Sequence, residues 1–120
     1  MKVVINSCHG GFELSDLAFE KLLDRKGIAW EKKTNAYFTD VDYYHAGHLD
    51  DSDYFLNFYD YTNDDNRADH DLVAIVEELG ELANGQYAEL KVIEVPDEVK
   101  WHIEEYDGFE WIAEDHRTWQ

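Results

Sequence analysis

VVINSCHGGFELSDLAFEKLLDRKG, residues Val3 to Gly27, changes its pattern half-way, and that change decides the fold class. Val3-Val4-Ile5 is a continuously apolar, β-branched run, which predicts a buried strand. Cys8-His9-Gly10-Gly11 breaks it. Ser15 then predicts a helix N-cap, with Asp16 in the first turn and Leu14 and Phe19 at the N′ and N4 positions of a hydrophobic staple. Phe19, Leu22 and Leu23 form the apolar stripe of that helix. Arg25 and Lys26 suit the negative end of its dipole, and Gly27 suits the C′ position.

The same reading extends outward. Ile28 to Lys33 and Ala36 to Tyr44 predict strands. In the second, Tyr37, Thr39, Val41 and Tyr43 alternate with Phe38, Asp40, Asp42 and Tyr44, so both aspartates are expected to leave by one face. His45 to Asp53 reads as a polar loop, Tyr54 to Tyr61 as a third strand with Tyr54, Leu56 and Phe58 on one side, and Thr62 to Asp69 as loop. Asp69 caps a second helix whose core positions are Leu72, Val73, Val76, Leu79 and Ala83 and which Asn84-Gly85 ends; Glu77, Glu78 and Glu81 lie on its exposed side. Leu90 to Val95 follows, then a turn at Pro96-Asp97. The run from Val99 to Glu114 is centred on Asp107-Gly108, a strong hairpin signal. A two-residue turn there sets Ile103 opposite Ile112 and Glu105 opposite Glu110. Opposed glutamates cost up to about 1 kcal/mol, so either the register differs or the charge is tolerated for a purpose. The expectation is a single α+β domain over residues 1–120, two helices packed on a mainly antiparallel sheet.

Charge bounds the function. Twenty-eight acidic residues against ten basic give a net charge of −18 over 120 residues. Such a field argues against a nucleic acid or an anionic membrane as direct ligand, because both need a basic surface. A basic nucleic-acid-binding protein, a cationic peptide or a divalent metal remains compatible. Between Thr34 and Asn66 the chain has no lysine or arginine, eight aspartates, no glutamate and nine phenylalanines or tyrosines. A disordered acidic tail is poor in aromatics, whereas this segment has enough apolar surface to fold. Its carboxylates are therefore expected at fixed positions, and the predicted binding set is Asp40, Asp42, Tyr44, Asp50, Asp51, Asp53, Asp60, Asp64 and Asp65.

Apolar residues make up 44% of the chain and a single cysteine excludes an intrachain disulfide framework. The N-terminal apolar run is too short for a signal-peptide core and no window approaches a membrane span, so a soluble cytoplasmic protein is expected.

Other chemistry is weighed against blander readings. Cys8 beside His9 has the elements of a nucleophile and a base, but adjacent strand residues point apart, and a small buried cysteine beside a loop histidine explains it better. Gly10-Gly11 before a helix could cradle a phosphate, yet it lacks the spacing and lysine of a Walker loop. His45, His48, Asp50 and Asp51 are types that zinc accepts, in a loop that does not align them. Asp60 to Asp71 is not an EF-hand: Asp65 stands where glycine is needed and Asp71 where a bidentate glutamate belongs. Weak divalent binding by the clustered aspartates stays open. Trp30, Trp101 and Trp111 are read as packing residues, with Trp119 less easily placed.

The stretches Val-Val-Ile-Asn-Ser-Cys-His-Gly-Gly-Phe-Glu-Leu-Ser, residues 3–15, and Ile-Glu-Glu-Tyr-Asp-Gly-Phe-Glu-Trp-Ile-Ala-Glu-Asp-His-Arg-Thr-Trp, residues 103–119, resemble the two ends of a family of small acidic bacteriophage and prophage proteins. The resemblance spans most of the chain outside the central acidic segment and carries over no catalytic residue. It implies a phage setting, in which small, very acidic proteins often inhibit host defence nucleases by occupying the site meant for DNA. Independently of it, strand residues two apart are separated by about 6.6 Å, so fixed aspartates can stand in for spaced phosphates. The expected function is a non-enzymatic inhibitor of a host nucleic-acid-binding defence protein, of the DNA-mimic type (anti-CRISPR or anti-restriction), with no cofactor. The alternatives are a small metal-dependent or cysteine enzyme using Cys8, His9, His45 and His48, and a structural or regulatory phage interaction protein.

Overall fold

The computed structural model describes residues 1–34 and 40–115. The fold is α+β, in chain order β1 (Lys2–Asn6), α1 (Asp16–Arg25), β2 (Trp30–Thr34), β3 (Val41–His45), α2 (Tyr59–Thr62), α3 (His70–Leu79), β4 (Leu90–Glu94), β5 (Trp101–Tyr106) and β6 (Phe109–Glu114). Short 3₁₀ turns occupy Ser52–Tyr54, Asp64–Asn66 and Gly80–Ala83. All described strand pairing is antiparallel, but it is divided among three two-stranded sheets, β1-β4, β2-β3 and β5-β6. Among the described residues no helix is long and apolar enough to cross a membrane.

The two sides of β1 explain its unbroken apolar run. Val4 points into a core with Phe19, Leu22 and Leu23 of α1 and Leu72, Ile75 and Val76 of α3. Val3 and Ile5 point the other way, into a second cluster with Val95 that Trp101, Ile103 and Ile112 of the β5-β6 hairpin cover. Strand side chains alternate between faces, so a strand packed on both sides must be apolar at every position. The domain is thus layered: two helices, the β1-β4 pair, and the hairpin.

Local signals set the helix ends. The Ser15 side chain accepts the Ala18 N–H at 3.1 Å, and Leu14 and Phe19 are both buried as a staple requires. At the other end of α1, Gly27 N–H donates to Asp24 O and Ile28 N–H to Leu23 O, the Schellman pattern, with Gly27 at φ 73°. Asp69 caps α3 by accepting the Leu72 N–H at 3.1 Å. This helix ends a turn earlier than expected, because Gly80 takes φ 56° and the chain tightens into a 3₁₀ turn that still buries Ala83.

Tyr54 to Tyr61 is not a strand. Tyr54 closes a 3₁₀ turn, Phe55 makes one isolated bridge to Tyr44, and Tyr59 opens α2. Two short polar side chains wind this stretch: Asp51 accepts the Asp53 N–H and Asn57 accepts the Tyr59 N–H, each at 3.0 Å. Such local bonds offer the backbone an alternative to a ladder. The strand expected over Ala36 to Tyr44 is present as β3 from Val41; its earlier part falls on residues 36–39, outside the described residues, as does Trp119. Asp40 lies just before β3, so of the expected aspartate pair the strand itself carries Asp42 alone. The hairpin has the expected register, Ile103 opposite Ile112 and Glu105 opposite Glu110, and Asp107 and Gly108 take φ 49° and 85°, a type I′ turn.

Candidate functional site

All eight aspartates of the cation-free stretch are exposed, while Tyr44 is half-buried. They fall into two groups. The first surrounds β3 and the turn after it. Leu56 N–H donates to Tyr43 O at 2.8 Å, folding that turn back along the strand. Aromatic contacts hold it there: Tyr44 and Phe55 meet edge to face at 5.6 Å, and the Tyr54 ring stacks on His48 at 3.6 Å and 12°. Asp42, Asp50, Asp51 and Asp53 are therefore displayed from a packed scaffold. Two of them are partly neutralised. Asp42 sits opposite Lys33 in the β2-β3 register, and Lys33 Nζ lies 2.8 Å from Asp50 Oδ1. The hydrogen bond to Asp50, its charge, and that of Asp42 raise the Lys33 pKa.

The second group, Asp60, Asp64 and Asp65, lies on α2 and the turn that follows. Asp64 and Asp65 edge a cleft of about 640 Å³ with aromatic walls at Phe12, Phe58 and Tyr59. The floor of this cleft is a buried ion pair that the sequence did not reveal. Arg67 Nη1 donates to Glu110 Oε1 at 2.7 Å and Nη2 to Oε2 at 3.0 Å, with the side chains 6% and 7% exposed. Arg67 Nε donates to Thr62 O at 2.6 Å and Nη1 also reaches Val4 O at 3.4 Å. Its guanidinium lies over the Phe12 ring, 3.6 Å from the centroid. Glu110 in turn accepts the Asn6 N–H at 2.8 Å. The opposed glutamates of the hairpin are thereby accounted for: Glu110 is neutralised by Arg67, and exposed Glu105 folds over the turn to accept the Gly108 N–H at 2.7 Å. The available signal was Arg67 itself, the cation that ends the cation-free stretch.

No family model, curated protein or solved structure matches this chain.

The groups weighed for catalysis are engaged in packing. Cys8 is half-buried, and its thiol donates to Tyr87 O at 3.0 Å. The His9 ring packs on Phe109 at 5.4 Å. Gly10 is a close-approach residue, where a Cβ would lie 1.7 Å from Tyr87 O, and Gly11 takes φ 90°, so backbone geometry gives both glycines a reason independent of any phosphate. His45 and His48 both contact the Tyr54 ring. Among the described residues no three His, Cys, Asp or Glu side chains are grouped to hold a metal.

The cations are largely committed. Of the ten lysines and arginines, Lys2, Arg25, Lys26, Lys32, Lys33 and Arg67 are in ion pairs. Lys26 bridges Asp69 and Asp71 at 2.9 and 3.2 Å. The hairpin carries a further charged cluster, in which His102 Nδ1 meets Asp115 and Nε2 lies 2.9 Å from Glu104. What faces solvent unopposed is predominantly carboxylate, and the field outside the protein is negative.

Proposed function

We propose that this protein is a non-enzymatic inhibitor that occupies the cationic cleft of a nucleic-acid-binding protein, presenting carboxylates where the target expects phosphates. One observation carries the reading: eight aspartates, all exposed, belong to a stretch without lysine or arginine, and aromatic packing holds the turn after β3 that displays Asp50, Asp51 and Asp53. A rigid anionic surface gains affinity by pairing with the charges of a basic cleft, without the ordering cost of a disordered tail. The resemblance of the chain's ends to phage proteins makes a host defence nuclease the favoured target and the host cytoplasm the favoured setting.

Capture of partners from a host lysate at low salt, identified by mass spectrometry, tests this. The expected partner is a basic nuclease or defence complex whose binding to a labelled DNA duplex the protein competes away. Direct binding of the protein to that partner should weaken steeply between about 50 and 200 mM salt. A partner that still binds DNA while the protein is attached would sink the proposal.

A further inference from the structure

The cleft above the Arg67–Glu110 pair has features that a diffuse acidic surface lacks. It is concave, of about 640 Å³, within the range of pockets that enclose a ligand group. Its aromatic wall is preset: Phe58 meets Phe12 at 6.4 Å and Tyr59 at 5.7 Å, and Tyr59 nevertheless leaves 71% of its surface to solvent. One ring of this wall already holds a planar cation on its face, since the Arg67 guanidinium lies 3.6 Å from the Phe12 centroid.

The charge balance selects the sign of the occupant. Four of the five N–H donors of Arg67 are already engaged, and the last has a carboxylate beside it, so little of this residue is left for an incoming anion. Its Nε and Nη1 hydrogen bonds go to Thr62 O, Val4 O and Glu110, Nη2 also binds Glu110, and Asp64 Oδ1 stands 3.9 Å from Nη2. Asp64, Asp65 and Glu105 line the same cleft and repel an anion. Arg67 and Glu110 cancel each other, so these three carboxylates set the local field.

We infer that this cleft is the anchor site for a single cationic side chain, arginine or lysine, projected by the basic partner. The inference rests on the proposed function and deepens it. The guanidinium or ammonium stacks against Tyr59 and Phe58 while the carboxylates of Asp64, Asp65 and Glu105 face its charge, pairing a cation–π contact with electrostatic attraction. The surrounding aspartates steer the partner, and the cleft fixes its register.

The test is an NMR titration of the ¹⁵N-labelled protein with N-acetyl-arginine amide, with N-acetyl-citrulline amide as the uncharged isostere, and separately with a decalysine peptide. Saturable shifts concentrated at the Gly11, Thr62, Asn63, Asp64 and Gly108 amides, given by the arginine compound and not by citrulline, are expected. Tyr59→Ala and Asp64→Asn should each weaken that binding about two- to fivefold, and Tyr59→Phe should retain it. Both positions are exposed, so these variants keep the fold. Equal shifts with citrulline, or unsaturable shifts spread over Asp42 and residues 50–53, overturn the anchor. In that event salt-sensitive decalysine binding leaves the broader inhibitor reading standing. Failure of decalysine alongside cleft-specific arginine binding overturns the broad surface and keeps the cleft.

Discussion

Arg67 and Glu110, 43 residues apart in sequence, form a two-point ion pair at 2.7 and 3.0 Å in the interior of the domain. The pair links the end of the acidic stretch to the hairpin, and Val4 N–H completes the connection by donating to Arg67 O at 2.9 Å. Removing one partner leaves the other charge buried and uncompensated, so Glu110→Gln or Arg67→Met should each destabilise by about 3–5 kcal/mol. The double variant Arg67→Met, Glu110→Gln should cost less than the sum of the single effects, because each single change already breaks the pair. Urea denaturation of the four proteins checks both statements.

Two glycines with nearly equal φ separate backbone strain from steric conflict. Gly47 and Gly108 have φ of 86° and 85°, but a Cβ at Gly47 meets nothing within 4 Å, whereas at Gly108 it would lie 2.5 Å from His9 O and 2.6 Å from Gly11 N. Gly47→Ala should cost about 1 kcal/mol, the usual penalty for left-handed backbone. Gly108→Ala should cost clearly more, because two stretches of backbone must move. Thermal melts of the pair supply the comparison.

His102 makes stability depend on pH in a defined direction. Hydrogen bonds to Glu104 and Asp115, together with their charges, raise its pKa above the ordinary 6.5. A folded-state pKa above the unfolded one means the contribution is complete below about pH 6.5 and is lost as pH rises through the higher folded value. His102→Gln should remove that loss and flatten the stability profile above pH 6.5. A ring proton titration of His102 with a midpoint at or below 6.5 would contradict the assignment.

Replacing Asp40, Asp42, Asp50, Asp51 and Asp53 with asparagine removes five exposed charges and keeps near-identical shape. The fold should persist, since asparagine at position 51 can still accept the Asp53 N–H and the loss of the Lys33–Asp50 pair affects an exposed contact. Partner binding should weaken stepwise with each substitution, mainly through slower association, and its salt dependence should become shallower. Stopped-flow association at three salt concentrations reads both effects. Loss concentrated in one or two positions would favour metal ligation instead.

Cys8→Ala should leave partner binding unchanged. Among the described residues the hydrogen bonds lost are weak thiol contacts to Tyr87 O and Asn6 Oδ1, at 3.0 and 3.5 Å, so the cost should stay below about 1 kcal/mol. A folded Cys8→Ala protein without biological activity would return the cysteine to a chemical role.

How much the sequence disclosed depended on whether the determining contact was local. Ser15, Gly27, Asp69 and Asp107-Gly108 act within a few residues, and each does in the structure what its type and spacing predicted. The Val3-Val4-Ile5 run was readable because burial on both faces leaves a one-dimensional trace. The strand expected over Tyr54 to Tyr61 fails because Tyr54, Leu56 and Phe58 fit a period of two, while the Asp51 and Asn57 side chains that curl the chain leave no periodic mark. Arg67 stayed hidden for the opposite reason: its partner Glu110 lies far along the chain, and nothing local marks a glutamate as interior. The exposure of the aspartates followed from their chemistry, but their division between the β3 rim and the cleft followed from the α2 turn, which the strand reading had erased.

The three separate strand pairs carry a consequence for how copies of this protein treat one another. Within the described residues no pair gains a third strand, so the sheets keep short open margins. Those margins carry charge, Glu31, Lys32 and Lys33 on β2 and Lys91 and Glu94 on β4, which discourages edge-to-edge growth. Like-charge repulsion from the net −18 adds a longer-range barrier between molecules. Ionic strength sets that barrier as well as the attraction to a basic target. Concentrated salt would therefore release the target and let the freed molecules approach each other, so purification in high salt favours self-association at the moment the protein is stripped from its complex.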